Sequence, residues 1–105
     1  MFKAIAIKSH KWYAEILPEL GSNITKLAYE NNDVYVPLLT KNQLASNPYI
    51  QGALLLFPAN RTAGGKFTFE DQEYLLPITE EKTGANLHGL LHREAFDVLN
   101  HNAEN

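Results

Sequence analysis

Short runs of β-branched, aromatic and other apolar residues, each followed by turn-forming residues, constrain this chain more than any other feature of its sequence. Such a succession is typical of a β-sandwich or barrel, because runs of strand length are too short to form independent helices. The length of 105 residues and the hydrophobic fraction of 45% suit one small core. We therefore predict an all-β fold of antiparallel strands in a single domain over 1–105, with a polar tail at 100–105.

Three hairpins are predicted, because β-rich runs flank polar turn residues. The paired runs are 4–7 with 12–17, 23–30 with 34–39, and 67–69 with 74–76. Pro37 restricts the end of the strand at 34–39 to an edge or a bulge. Residues 54–57 form a continuous apolar run, for which we predict a strand buried on both faces. Thr40 and Gln43 have the spacing of a capping box, so at most one short helix is predicted, at 42–45 before Pro48.

The charge and cysteine content disfavour several classes of function. Nine Lys and Arg against twelve Asp and Glu give a net charge of -3, without a basic cluster for nucleic-acid phosphates. Cysteine is absent, which removes disulfides and thiolate metal sites and favours the cytoplasm. No apolar stretch approaches the length of a membrane span. We therefore expect neither nucleic acid nor a membrane as a partner.

The most informative block runs from Phe57 to Gly89 and contains four motifs in succession. They are FPANR at 57–61, GGKFTF at 64–69, YLLP at 74–77 and NLHG at 86–89. In this order and spacing the block resembles the aldose 1-epimerase (galactose mutarotase-like) family. The resemblance covers most of the chain, with Phe96 at the place of a tryptophan that is common in the family.

This resemblance implies that the chain is the amino-terminal part of a galactose mutarotase-like β-sandwich, or supersandwich. It implies an isomerase that interconverts the α and β anomers of an aldose such as glucose or galactose by acid/base ring opening, without a cofactor. In the family, the general acid His and the general base Glu lie well downstream of the Leu-His-Gly turn. His101 is too close to that turn to be the acid. We therefore expect a fragment that is incomplete for catalysis.

Asn60, Arg61 and His88 are the residues that the resemblance implies for sugar binding. A guanidinium can donate to vicinal hydroxyls, and an imidazole can donate or accept near neutral pH. His88 is also expected to assist catalysis near the ring or anomeric oxygen, and Asn60 to orient Arg61 through local backbone hydrogen bonds. Without the resemblance, Arg61 would be interpreted as a surface cation and His88 as a turn residue. We predict that Arg61 and His88 converge on one face of the sheet.

Other interpretations of the sequence lead to different partners. His88 and His92 lie four residues apart, but the glycine between them and the lack of a third ligand disfavour a metal site. A stand-alone carbohydrate-binding module and a structural fragment that associates with another chain stay open as alternatives. Family-like motifs in a chain of unusually short length predict self-association through edge strands, or a complementary chain that completes the sheet.

Overall fold

A computed structural model describes residues 3–38, 40–47 and 50–102. These residues form antiparallel strands with one short α-helix and one 3₁₀ turn (Leu91–Arg93), so the prediction of an all-β fold is confirmed. They divide into two compact units. The first unit comprises the described residues up to Leu55 together with those from His92 onward, and the second runs from Leu56 to Leu91.

The first unit is built on a four-stranded antiparallel sheet with its strands in chain order. They are β1 (Ile5–Ser9), β2 (Trp12–Leu17), β3 (Asn23–Tyr29) and β4 (Asn32–Asp33). Ile7, Ala14 and Leu27 are in register across the first three strands. Side chains in register lie on the same face of a sheet, so this face is apolar. The first predicted hairpin is thereby confirmed.

The second predicted hairpin is shorter than expected. Its turn lies at Glu30–Asn31, where both residues have positive φ, and β4 ends at Asp33. The strand predicted over 34–39 is wrong: 34–38 make only two backbone hydrogen bonds to β3, from Val34 N–H to Leu27 O and from Leu38 N–H to Thr25 O. Pro37 has no N–H to donate, so a regular ladder cannot continue there. Leu39 lies outside the described residues.

The predicted helix is confirmed as α1 (Lys41–Ser46), one residue longer at each end than expected. Gln43 N–H donates to Thr40 Oγ1 at 3.1 Å, and Thr40 N–H donates to Gln43 Oε1 at 3.0 Å. This is the reciprocal capping box that the spacing indicated. Pro48, expected to end the helix, lies outside the described residues. Across the described ranges, no helix is long and apolar enough to cross a membrane.

The buried strand predicted at 54–57 is wrong. Ala53 and Phe57 make only isolated bridges, to Ile24 in the first unit and to Gly89 in the second. Leu55 is 48% exposed and Phe57 is 74% exposed. The apolar run crosses the sequence boundary between the two units, and a strand forms only where neighbouring strands supply a continuous ladder.

The second unit contains two short antiparallel strand pairs. One joins β5 (Arg61–Ala63) to β8 (Ala85–Leu87), and the other joins β6 (Lys66–Phe69) to β7 (Gln72–Leu75). The third predicted hairpin is confirmed, with Phe67 opposite Tyr74 and their ring centroids 5.2 Å apart. Stacked rings at this distance stabilise the pairing of β6 with β7.

Much of the apolar surface of the described residues is open to solvent. The buried apolar side chains in these ranges are few, and most of them are alanines: Ala14, Leu17, Ala28, Leu38 and Ala85. Large apolar side chains are exposed in both units, and Leu99 reaches 95%. Where exposed apolar side chains form a contiguous surface, that surface usually binds a partner.

Candidate functional site

Paired strands in the second unit bring the candidate site residues together. Arg61 lies opposite Leu87, and His88 follows directly after β8. His88 N–H donates to Asn60 O at 2.9 Å, while Asn60 N–H donates to His88 Nδ1 at 3.1 Å. In addition, Asn60 Oδ1 accepts from Arg61 N–H at 2.9 Å. The three residues named from the sequence therefore lie at one end of the β5–β8 pair.

The hydrogen bond to Nδ1 determines the chemistry of the His88 ring. Because Nδ1 accepts a backbone N–H, the neutral imidazole carries its proton on Nε2, which is then a donor. His88 is half-buried, and its φ of 65° is uncommon for a residue with a side chain. Such a conformation persists where the surrounding structure fixes it, and this often occurs at functional sites.

Asn86 and Gly89 fix the turn that carries His88. Asn86 is fully buried, with Nδ2 donating to Pro77 O at 2.9 Å and Oδ1 accepting from Gly89 N–H at 2.9 Å. Gly89 has a φ of 72°, and a Cβ there would lie 1.9 Å from Phe57 O. Only glycine fits this position. Asn86 is not among the binding residues predicted from the sequence, although its place in the NLHG motif is a signal that could have identified it.

The guanidinium of Arg61 is held by the carboxylate of Glu80, which was not among the predicted site residues. Arg61 Nε lies 2.5 Å from Glu80 Oε1, and Nη2 donates to Oε2 at 3.1 Å. Thr83 Oγ1 also donates to Glu80 Oε1, at 2.5 Å. The side chains of Arg61 and Glu80 are 52% and 22% exposed. No sequence motif links these two positions, so only the folded chain identifies the pair.

These contacts shift the protonation of both partners. Hydrogen bonds from Arg61 and then from Thr83 lower the pKa of Glu80 from 4.5 to about 2, and the charges of Arg61 and His88 act in the same direction. In turn, the Glu80 carboxylate raises the pKa of Arg61. Glu80 is therefore an anion except in strong acid.

Donors and an acceptor lie in one part of the second unit, where Arg61 donates to the Glu80 carboxylate and His88 acts on it electrostatically. Arg61 and His88 carry N–H donors, and the Glu80 carboxylate is an acceptor. A sugar hydroxyl, which donates and accepts, matches such a set. No cluster of three His, Asp or Glu side chains suited to a metal ion occurs in the described part of the chain.

The chain is similar to a protein family and to a curated protein. A family model described as aldose 1-epimerase matches residues 3–105. The uncharacterized protein YihR from Escherichia coli (strain K12) is 27% identical over 89 residues, which cover 85% of this chain and 28% of that protein.

Solved structures share the fold of this chain. A galactose mutarotase-like protein from Clostridium acetobutylicum superimposes with a TM-score of 0.70 and 27% identity, over 90% of this chain and 29% of that one. The GalM/aldose epimerase homologue from C. elegans gives a TM-score of 0.70 and 21% identity, over 98% and 34%. At 21% identity the second similarity shows the fold alone. The chain spans 28% to 34% of the length of these three relatives.

Proposed function

The chain belongs to the aldose 1-epimerase family, and we propose that it binds an aldose through Arg61 and His88 as part of a site that interconverts α and β anomers. The observation that carries the proposal is the reciprocal hydrogen bonding between Asn60 and His88, which fixes the His88 imidazole at the end of the strand pair that contains Arg61. Rigid strands that hold binding groups at their ends are a common way to build a ligand site.

The proposed chemistry assigns a separate task to each side chain. Anomer interconversion requires a base to remove the proton of the anomeric hydroxyl and an acid to protonate the ring oxygen, with the roles reversed on closure. In the proposed site His88 Nε2–H donates to the ring or anomeric oxygen, while Arg61 donates to vicinal hydroxyls. Both groups steady the charge that develops as the ring opens.

We assign the principal acid and base to residues outside these 105. Glu80 is unsuited to be the base, because its pKa of about 2 lies far below the pH at which a sugar hydroxyl must be deprotonated. An acid or a base each contributes about 10² to 10⁴ in rate. The chain by itself is therefore expected to bind sugar with little turnover.

The partner proposal concerns the first unit. A groove of about 680 Å³ there is lined mainly by apolar side chains, among them Ile16, Ile24, Phe96 and Leu99. Contiguous apolar surface that is open to solvent often marks a site where a partner binds. We propose that strands from a second copy or from a complementary chain cover it and complete the family sandwich, and that this assembly works in the cytoplasm.

Saturation-transfer NMR with glucose and galactose tests the sugar site. The unmodified chain should give a saturable signal. Arg61→Ala and His88→Ala should each weaken the affinity for sugar about tenfold or more, because each removes a direct donor. Lys66→Ala is the control, since Lys66 pairs with Glu73 at 3.5 Å and belongs to another strand pair. The proposal fails if neither sugar gives a saturable signal.

Polarimetry on freshly dissolved α-glucose and α-galactose addresses the catalytic part separately. Mutarotation at the uncatalysed rate, together with sugar binding, fits a chain that supplies only binding groups. Fast mutarotation by the chain alone would contradict the assignment of the acid and base to residues outside it.

A further inference from the structure

We propose that Glu80 makes the Arg61 subsite selective for uncharged sugar hydroxyls and closes it to anionic groups such as carboxylates and phosphates. This inference rests on the proposed sugar-binding function and concerns the class of group that the subsite accepts.

The ion pair with Glu80 already uses the part of the Arg61 guanidinium that binds anions best. Arginine binds anions best through two parallel N–H groups, as a fork. In this chain Nε and Nη2 of Arg61 already hold Oε1 and Oε2 of Glu80 in that way. Two of the five guanidinium N–H groups hold Glu80. The other three can donate to a ligand, but that ligand would lie beside the Glu80 carboxylate. An incoming anion would have to displace Glu80 or lie against its charge.

Hydrogen bonds within the loop at 80–85 fix Glu80 in place, so its displacement by an incoming anion is disfavoured. Glu80 O accepts from the N–H groups of Gly84 at 3.0 Å and Ala85 at 3.2 Å, and Glu80 N–H donates to Ala85 O at 3.0 Å. Thr83 Oγ1 donates to the carboxylate itself. Both the backbone and the side chain of Glu80 are therefore anchored next to Arg61.

Negative charge in the second unit also disfavours the binding of anions. Residues 56–91, which form the second unit, contain three Lys and Arg but five Asp and Glu. The pKa of Glu80, lowered to about 2, keeps its carboxylate charged at neutral pH. Like charges placed together at a binding site reject the wrong ligand. A hydroxyl meets no such repulsion and can donate to the carboxylate while it accepts from the guanidinium.

Sugar selectivity can be measured with matched ligands and matched variants. Galactose and galacturonate share a ring and differ by one carboxylate, and NMR titration gives the affinity for each. We expect the unmodified chain to prefer galactose by about tenfold or more, because like-charge contacts cost several kcal/mol. Glu80→Gln, which keeps the shape but removes the charge, should reduce this preference about fivefold or more.

Two variants separate charge from shape. Glu80→Asp keeps the charge and should retain the preference for galactose. Glu81→Gln is the matched control, because it removes one charge from the same loop at an exposed side chain and should leave the preference unchanged. Equal affinity of the unmodified chain for the two sugars would overturn the inference, whether or not the variants fold.

Inorganic phosphate gives a test that needs no sugar. In ¹⁵N NMR, the Arg61 Nε–H signal of Glu80→Gln should shift saturably with phosphate, at a concentration about tenfold below that needed for the unmodified chain. If the unmodified chain binds no sugar but this difference appears, the proposed function fails and the anion exclusion stands. If the two proteins respond alike to phosphate, the exclusion is wrong even where sugar binding is observed.

Discussion

The first unit is held by a four-stranded sheet with one register shift, between Glu15 and Ile16, whereas the second consists of two short strand pairs in which Asn86 of β8 donates to Pro77 O after β7. The longer sheet buries Ala14, Leu17 and Ala28 but contributes none of the candidate site residues. The smaller unit holds all of them, around the fully buried polar side chain of Asn86. The difference teaches that a short sheet with little apolar burial can hold a site turn through one buried polar side chain, since Asn86 fixes the turn that carries His88.

Gly89→Ala should have the largest effect and break the second unit alone. The added Cβ would lie 1.9 Å from Phe57 O, and the φ of 72° is unfavourable for alanine. We expect a loss of about 4 kcal/mol in unfolding free energy, with loss of sugar binding. Hydrogen exchange should report faster opening of amides in 56–91 and little change in β1–β3.

Gly64→Ala is the matched control for that substitution. Gly64 has a similar φ of 64°, but a Cβ there would have no neighbour within 4 Å. Its cost should stay near 1 kcal/mol, about the strain of alanine at positive φ. Equal losses in the two variants would mean that the close approach to Phe57 is unimportant.

Leu17→Ala should destabilise the first unit and leave sugar binding by the second unit unchanged. Leu17 is 2% exposed in the first unit, and truncating a buried leucine costs about 3 kcal/mol through lost burial and the cavity left behind. Chemical denaturation should show this loss, while galactose binding per folded molecule is unchanged. Val36→Ala serves as the control, since Val36 is 75% exposed and lies outside the apolar groove, so it contributes little to folding. Reduced sugar affinity in folded Leu17→Ala would show that the two units are not independent in function.

Asn86→Ala should cost about 2 kcal/mol, because it leaves Pro77 O and Gly89 N–H without their buried partner. Denaturation measures the loss, and the His88 ring signals in NMR should broaden as the turn loosens. Asn32→Ala removes an exposed hydrogen bond to Glu30 O in the first unit and should cost less than about 1 kcal/mol. Similar losses from both variants would contradict the special role of the buried anchor.

The smallest expected effect is the acid titration of Glu80. The folded-state pKa of about 2 lies below the ordinary 4.5. The unfolded chain therefore binds more protons between these values, and the contribution of Glu80 to stability is present above pH 4.5 and is lost as the pH falls through about 2. The carboxyl ¹³C signal should titrate with a midpoint near 2, and Thr83→Val should raise that midpoint. An unshifted midpoint near 4.5 in the unmodified chain would contradict the ion pair.

Local patterns predicted much of the fold. The β1–β2 and β6–β7 hairpins and the Thr40 capping box depend on residues that are near neighbours in the chain, so their spacing alone indicates the structure. The strand expected at 54–57 does not form, because strand formation depends on ladder partners elsewhere in the chain. Residues 34–38 do not form the other expected strand, because Pro37 cannot donate to the ladder with β3. A continuous apolar run indicates only that burial is favourable.

The sequence by itself determined the all-β class, the order of the hairpins and the candidate residues Asn60, Arg61 and His88. The tertiary structure decided that Glu80 pairs with Arg61, that Asn86 anchors the turn, and that His88 Nδ1 is an acceptor. The physical reason is range: turn and strand preferences act between near neighbours, while hydrogen-bond partners and the charge that one group feels from another depend on which distant residues the fold brings within a few ångströms.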